Sequence, residues 1–323
     1  VGVERTLKEL LTRYRWLNVA YGVLQHGPRA LSRRGPANRG PDEIQPPPFF
    51  IIGAARSGNT LLRALLVGHS EISIPPESYV LGGIIRQWDR HNFEDWDVLV
   101  ESVIGEFESH PEFSTWEIDL APARQALNAL DPSDRSLARI LDAIYRQYSA
   151  AKFPGFRIWG DKTPLNTERI FLIDRVFPAA RYVHMLRDGR DAVSSAVKAG
   201  MFGGSVEGAC RSWLLRTRNA RQLGRRIGAG RYLELRYEDL VSDPRDAVVR
   251  LCGFLEVDFE EQMMAHDRAF GNMGDTQALD HHAQVGQAVT ADSVGKWRDR
   301  LTADQARTVE RFLHKDLSRL GYD

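Results

Sequence analysis

From Gly53 to Thr60 the chain reads G-A-A-R-S-G-N-T. Both glycines and the closing hydroxyl fit the phosphate-binding frame G-x-x-x-x-G-K-[ST], but Asn59 stands where that frame has lysine. A β-type run (49–52) enters this turn and an apolar helix leaves it, so backbone N–H groups and a helix N-terminus converge on one spot and favour an anion there. The lysine of nucleoside-triphosphate enzymes reaches the β- and γ-phosphates. A loop that lacks it, and carries its cation at Arg56, suits a shorter phosphate or sulfate chain.

Polar groups recur just past other short β-type runs. Glu77 follows 72–74, Asp161-Lys162-Thr163 follows 156–159, Arg187-Asp188-Gly189-Arg190 follows 181–186, and Tyr237-Glu238-Asp239 follows 231–235. Ser195 lies about two turns into the helix after Arg187, so a second anion fits there. Two separated anion sites on one ligand imply a nucleotide with phosphates at both ends.

The elements that must position these groups alternate β and α. That order predicts an α/β fold of P-loop type, a mainly parallel sheet with helices on both faces and with ligands at the C-terminal strand ends. Residues 79–150 read as a largely helical insertion between Glu77 and Lys162. Asp131-Pro132-Ser133-Asp134 breaks it, with Ser133 or Asp134 expected to cap the helix through Leu137, Ile140, Leu141, Ile144 and Tyr148. Ahead of the first strand, Leu7, Leu10, Leu11, Tyr14, Leu17 and Tyr21 mark an amphipathic helix with a basic polar side. Such a helix makes a peripheral contact with an anionic membrane, a dimer contact, or ordinary packing, and the three stay open. The expected organisation is 1–48 as helix and Pro/Gly linker, then 49–323 as a single domain in which 79–150 forms the acceptor side.

Basic and acidic residues balance at 43 each in 323 residues. No global field recruits nucleic acid, and any basic site is local. Two cysteines, Cys210 and Cys252, provide neither a disulfide framework nor a metal cluster, and His281 and His282 with a distant His266 make a poor metal site. No apolar run nears the ~18 residues that span a bilayer. The sequon N-x-[ST] is absent, which leads to the expectation of a cytoplasmic protein.

Taken together, ARSGNTLLRALLVGHSEI with PPES, then DKTP, FPAARYVHMLRDGRDAVSS, LRYEDLVSDP and SVGKW resemble the sulfotransferases that use 3′-phosphoadenosine 5′-phosphosulfate (PAPS). Within these the pattern is that of a bacterial branch similar to the tyrosylprotein sulfotransferases. The resemblance runs from about Phe49 to Tyr322. It implies that Arg56, Ser57, Gly58, Asn59 and Thr60 form the 5′-phosphosulfate loop, where the family usually has threonine at the place of Asn59. Arg187 and Ser195 become the 3′-phosphate clamp, and Tyr237, Ser293 and Lys296 parts that close over the nucleotide. Glu77 takes the place of a catalytic carboxylate and Lys162 that of a lysine near the bridging oxygen.

In-line sulfuryl transfer needs a base on the acceptor hydroxyl and cations on the leaving group. Glu77 would be the first, partly desolvated, with Lys162 and Arg56 the second. PAPS is then the co-substrate and 3′-phosphoadenosine 5′-phosphate (PAP) the product, with no metal expected. Two rivals remain, an ATP-dependent phosphotransferase and a non-catalytic nucleotide-binding protein. Over 86–119 ten acidic residues face only Arg86 and Arg90, which argues against acidic peptides or sulfated polysaccharides as acceptors. Trp88, Phe93, Trp96, Phe107, Phe113 and Trp116 read equally as an acceptor surface or as core.

Overall fold

The computed structural model describes residues 44–265 and 291–322. Residues 1–43 of the expected 1–48 helix and linker, and His266, His281 and His282, lie outside the described residues. Five strands, β1 (Phe49–Gly53), β2 (Ile72–Ser73), β3 (Ile158–Asp161), β4 (Arg181–Leu186) and β5 (Tyr232–Arg236), form one sheet in the order β2-β3-β1-β4-β5. Every pairing is parallel, as in Ile52 opposite His184 and His184 opposite Glu234. All C-terminal strand ends therefore share one edge. The chain visits β2 and β3 on one side of β1 before crossing to β4 and β5, so the glycine loop leaves the middle of the sheet, where such topologies bind ligands.

The side-chain period of two sorts the strands onto two apolar layers. Phe50, Ile52, Trp159 and Tyr182 face a cluster built from α2 (Leu81–His91), α3 (Trp96–Glu108), α4 (Ala121–Asn128), α5 (Leu137–Lys152) and α6 (Ile170–Val176). Phe49, Ile51, Ile158, Val183 and Leu235 face α1 (Asn59–Leu66), α9 (Tyr237–Ser242) and α10 (Pro244–Leu255). At the C-terminal ends of β1 and β4, Ala54 and Leu186 pack with α7 (Gly189–Lys198), α8 (Val206–Ile227) and α12 (Ala303–Leu320); a one-turn α11 (Trp297–Arg300) precedes α12.

The segment 79–150 shares its core with the sheet. Tyr145 stacks on Trp159 with centroids 4.2 Å apart, and the Trp159 indole donates to Asp142 at 2.7 Å. Trp88, Phe93, Trp96, Phe107 and Trp116 are buried, and Phe113 packs against them; these aromatics are core.

Two local expectations are corrected. A 3-10 turn over Pro132–Asp134, capped by Asp131, uses up the Pro-containing break, so Ser136 rather than Ser133 or Asp134 caps α5 by accepting from Arg139 N–H. The third strand begins at Ile158 rather than 156, because the 154–155 turn still carries the chain there and Arg157 N–H goes to Glu71 O, ahead of β2.

Candidate active site

Gly58 caps α1 in the left-handed region (φ 95°). A Cβ there would stand 2.5 Å from the Tyr237 ring, so both backbone and space require glycine. No side chain caps the α1 N-terminus, which leaves its first amides turned toward the loop opening. Asn59 is buried and does not aim outward: its Nδ2 donates to Ala54 O at 2.9 Å and staples the loop. Below, Thr167 takes Gly53 N–H at 2.9 Å and donates back to Gly53 O. Ser57 Oγ is buried without a hydrogen-bond partner, and Thr60 sits half-buried in the first turn of α1.

The cations gather on the β4 side. Arg56 Nε donates to Ser195 Oγ at 3.2 Å, joining the loop to the expected second anion site. Arg187 donates to Arg56 O at 2.8 Å and to Ser293 O at 2.7 Å, and its guanidinium lies 4.2 Å from the Tyr237 ring centroid. Asp188 pairs with Arg190, not Arg187, while capping α7. Burial, then the nearby Arg187 and Arg300, hold Arg56 below the usual guanidinium range. Ser293 contributes its carbonyl, and Lys296 is exposed.

This donor set fits a nucleotide anion. An uncapped helix start, a glycine that leaves room, mutually repelling guanidiniums, and the buried, unpartnered Ser57 Oγ and Arg187 Nε all call for acceptor oxygens. Among the described residues, no group of three or more His, Cys, Asp or Glu side chains converges.

On the other side of the loop, Lys162 Nζ and Glu77 Oε1 form a direct ion pair. Their side chains are 1% and 14% exposed. Asp161, missed as a functional residue, holds this corner together. It accepts from Tyr145 OH at 2.6 Å, Ser78 Oγ at 3.1 Å and Asn166 Nδ2 at 2.8 Å, so the loop after Glu77 is tied to the end of β3. Burial pushes the Asp161 carboxyl up against the pull of those bonds. Ser78 N–H also donates to Thr163 Oγ1 at 3.1 Å, and Arg63 donates to Ile74 O. Past the ion pair, Tyr79 and Leu165 are exposed, with Tyr79 stacked on His110. A basic spot lies at α2: Arg169 lies over Gly82, and burial, then Arg169 and Arg90, hold Arg86 below the usual guanidinium range.

A parallel sheet whose central strand ends in a lysine-free phosphate loop, with a carboxylate–lysine pair on one side and arginines on the other, defines an α/β enzyme of group transfer from a nucleotide. The sulfotransferase family profile matches residues 47–261, and the chain belongs to that family: it is a PAPS-dependent sulfotransferase. It is similar to protein-tyrosine sulfotransferase 1 of Danio rerio, 25% identical over 86% of this chain and 72% of that protein. Protein-tyrosine sulfotransferase A of Caenorhabditis elegans is 24% identical over 86% and 67%. Among solved structures, the sulfotransferase domain of the Synechococcus PCC 7002 olefin synthase is 27% identical, covers 84% of this chain and 97% of that one, and superposes with a TM-score of 0.59.

Thr167 was also missed. A threonine inside the 3-10 turn Pro164–Glu168 is ordinary there, and nothing local marks it.

Proposed function

We propose that the chain carries a sulfuryl group from PAPS to an acceptor hydroxyl, with Glu77 as the base and Lys162 and Arg56 stabilising the leaving group. One observation carries the assignment: the ion pair of Glu77 and Lys162 at neighbouring strand exits, beside the loop that bears Arg56. PAPS, when bound, supplies an SO3 group on a phosphate leaving group. Ser57, the α1 amides and Arg56 would hold the 5′ end, and Arg187 with Ser195 the 3′-phosphate. Glu77 takes the proton of the acceptor hydroxyl, and Lys162, already against that carboxylate, turns to the leaving-group charge as it develops.

The acceptor is a hydroxyl compound. The names of the curated relatives put the phenol of tyrosine ahead of glycan, lipid or other small-molecule hydroxyls. Exposed Tyr79 and Leu165 beside the ion pair suit an aromatic or apolar acceptor.

The test is Glu77→Gln, which keeps shape and removes the base. With PAPS and a panel of phenols, turnover should fall roughly 10²–10⁴-fold with PAP affinity unchanged. Turnover equal to wild type would remove Glu77 from the chemistry.

A further inference from the structure

The segment that carries Ser293 is fastened by a carboxylate. Asp191, 1% exposed in the first turn of α7, accepts Gly295 N–H on Oδ2 at 2.7 Å and Trp297 N–H on Oδ1 at 2.8 Å. Gly295 has φ 74°, a turn that brings two amides two residues apart onto one carboxylate. Arg190 lies 4.9 Å from the Trp297 ring centroid, and Arg187 holds the Ser293 carbonyl. Arg187, just ahead of α7, and Arg190 and Asp191 in its first turn thus grip three points of the 293–297 strap.

A carboxylate beside an anion site opposes anion binding by like-charge repulsion, so its position needs a reason. Two converging backbone N–H groups are one. A carboxylate accepts both with charge-assisted bonds, whereas an amide offers one acceptor and turns its NH₂ against the other N–H.

We propose that Asp191 is a positioning residue for the donor nucleotide. By clamping Gly295 and Trp297 it sets the Ser293 carbonyl against Arg187, and so aims the Arg187 guanidinium, whose Nε has no protein partner, at the 3′-phosphate. The inference rests on the donor reading above and concerns affinity for the donor, not the transfer step.

The test is Asp191→Asn, with PAP titrated calorimetrically, PAPS kinetics, and hydrogen exchange of the 293–297 amides. The Kd for PAP and the KM for PAPS should rise by about tenfold or more, the order of one charge-assisted bond. At saturating donor, kcat should stay within about threefold, the split that separates binding from chemistry. The Gly295 and Trp297 amides should be protected in the wild type and lose protection in the variant. An unchanged Kd for PAP overturns the proposal, as does an equal fall in kcat at unchanged KM. Should the variant not fold, exchange in the wild type decides: PAP should slow those two amides by about tenfold or more, and no slowing on PAP binding overturns the proposal. Failure of the wild type to bind PAP at all would instead overturn the donor reading, and is seen before any substitution.

Discussion

Glu77 and Lys162 depend on each other. With Lys162 almost wholly buried against a carboxylate 14% exposed, removing the cation strands the anion. Lys162→Met should cost about 3–5 kcal/mol of stability, and the Glu77→Gln/Lys162→Met double variant should recover part of it. Urea unfolding of the three variants checks this; additive losses would show that the contact carries no coupling. The residue types at this corner were legible in the sequence, since a carboxylate and a lysine follow successive short strands. Their contact was not, because it depends on β2 lying beside β3. Asn59 makes the same point: it reads as a lysine replaced, yet its amide faces inward to Ala54, an orientation no spacing reveals.

At the scale of elements, the turn from β1 into α1 tolerates little. Gly58 combines a left-handed backbone with the Tyr237 ring against its α-carbon. Gly58→Ala should lower stability by about 1–3 kcal/mol and weaken PAP binding by displacing Tyr237 from Arg187. Thermal unfolding with and without PAP measures both, and a variant with wild-type Tm and PAP affinity would contradict the packing described. Thr167→Val should cost about 1–3 kcal/mol, because the buried Gly53 N–H would lose its partner. The parallel sheet was legible from alternating β and α runs, and β4 has the 181–186 bounds expected of it. Boundaries moved where turn chemistry intervened, as at Ser136 and Ile158. Asp161 was visible as a polar residue at a strand end, but its role as a hub needs Ser78, Tyr145 and Asn166 brought together across the fold.

Over the whole molecule, positive and negative charges balance, and the arginines that matter are concentrated at one sheet edge. The cysteines lie in two separate apolar layers as free, buried thiols. Burial pushes Cys210 up to about 12 and Cys252 up to about 11. At pH 8 both should therefore resist iodoacetamide in the native protein and react together on unfolding. Labelling followed by mass spectrometry reads this out, and rapid native alkylation of either one would contradict the burial.

We propose that the strand-end edge takes a nucleotide phosphorylated at both its 3′ and 5′ ends. Thermal unfolding with PAP, with AMP and with Mg²⁺-ATP tests it most directly. A ligand at about 100 times its Kd adds about 2.7 kcal/mol, enough to raise Tm by several degrees. PAP should raise Tm in this way while AMP, lacking the 3′-phosphate, has little effect. A rise with Mg²⁺-ATP and none with PAP would contradict a 3′,5′-bisphosphate site.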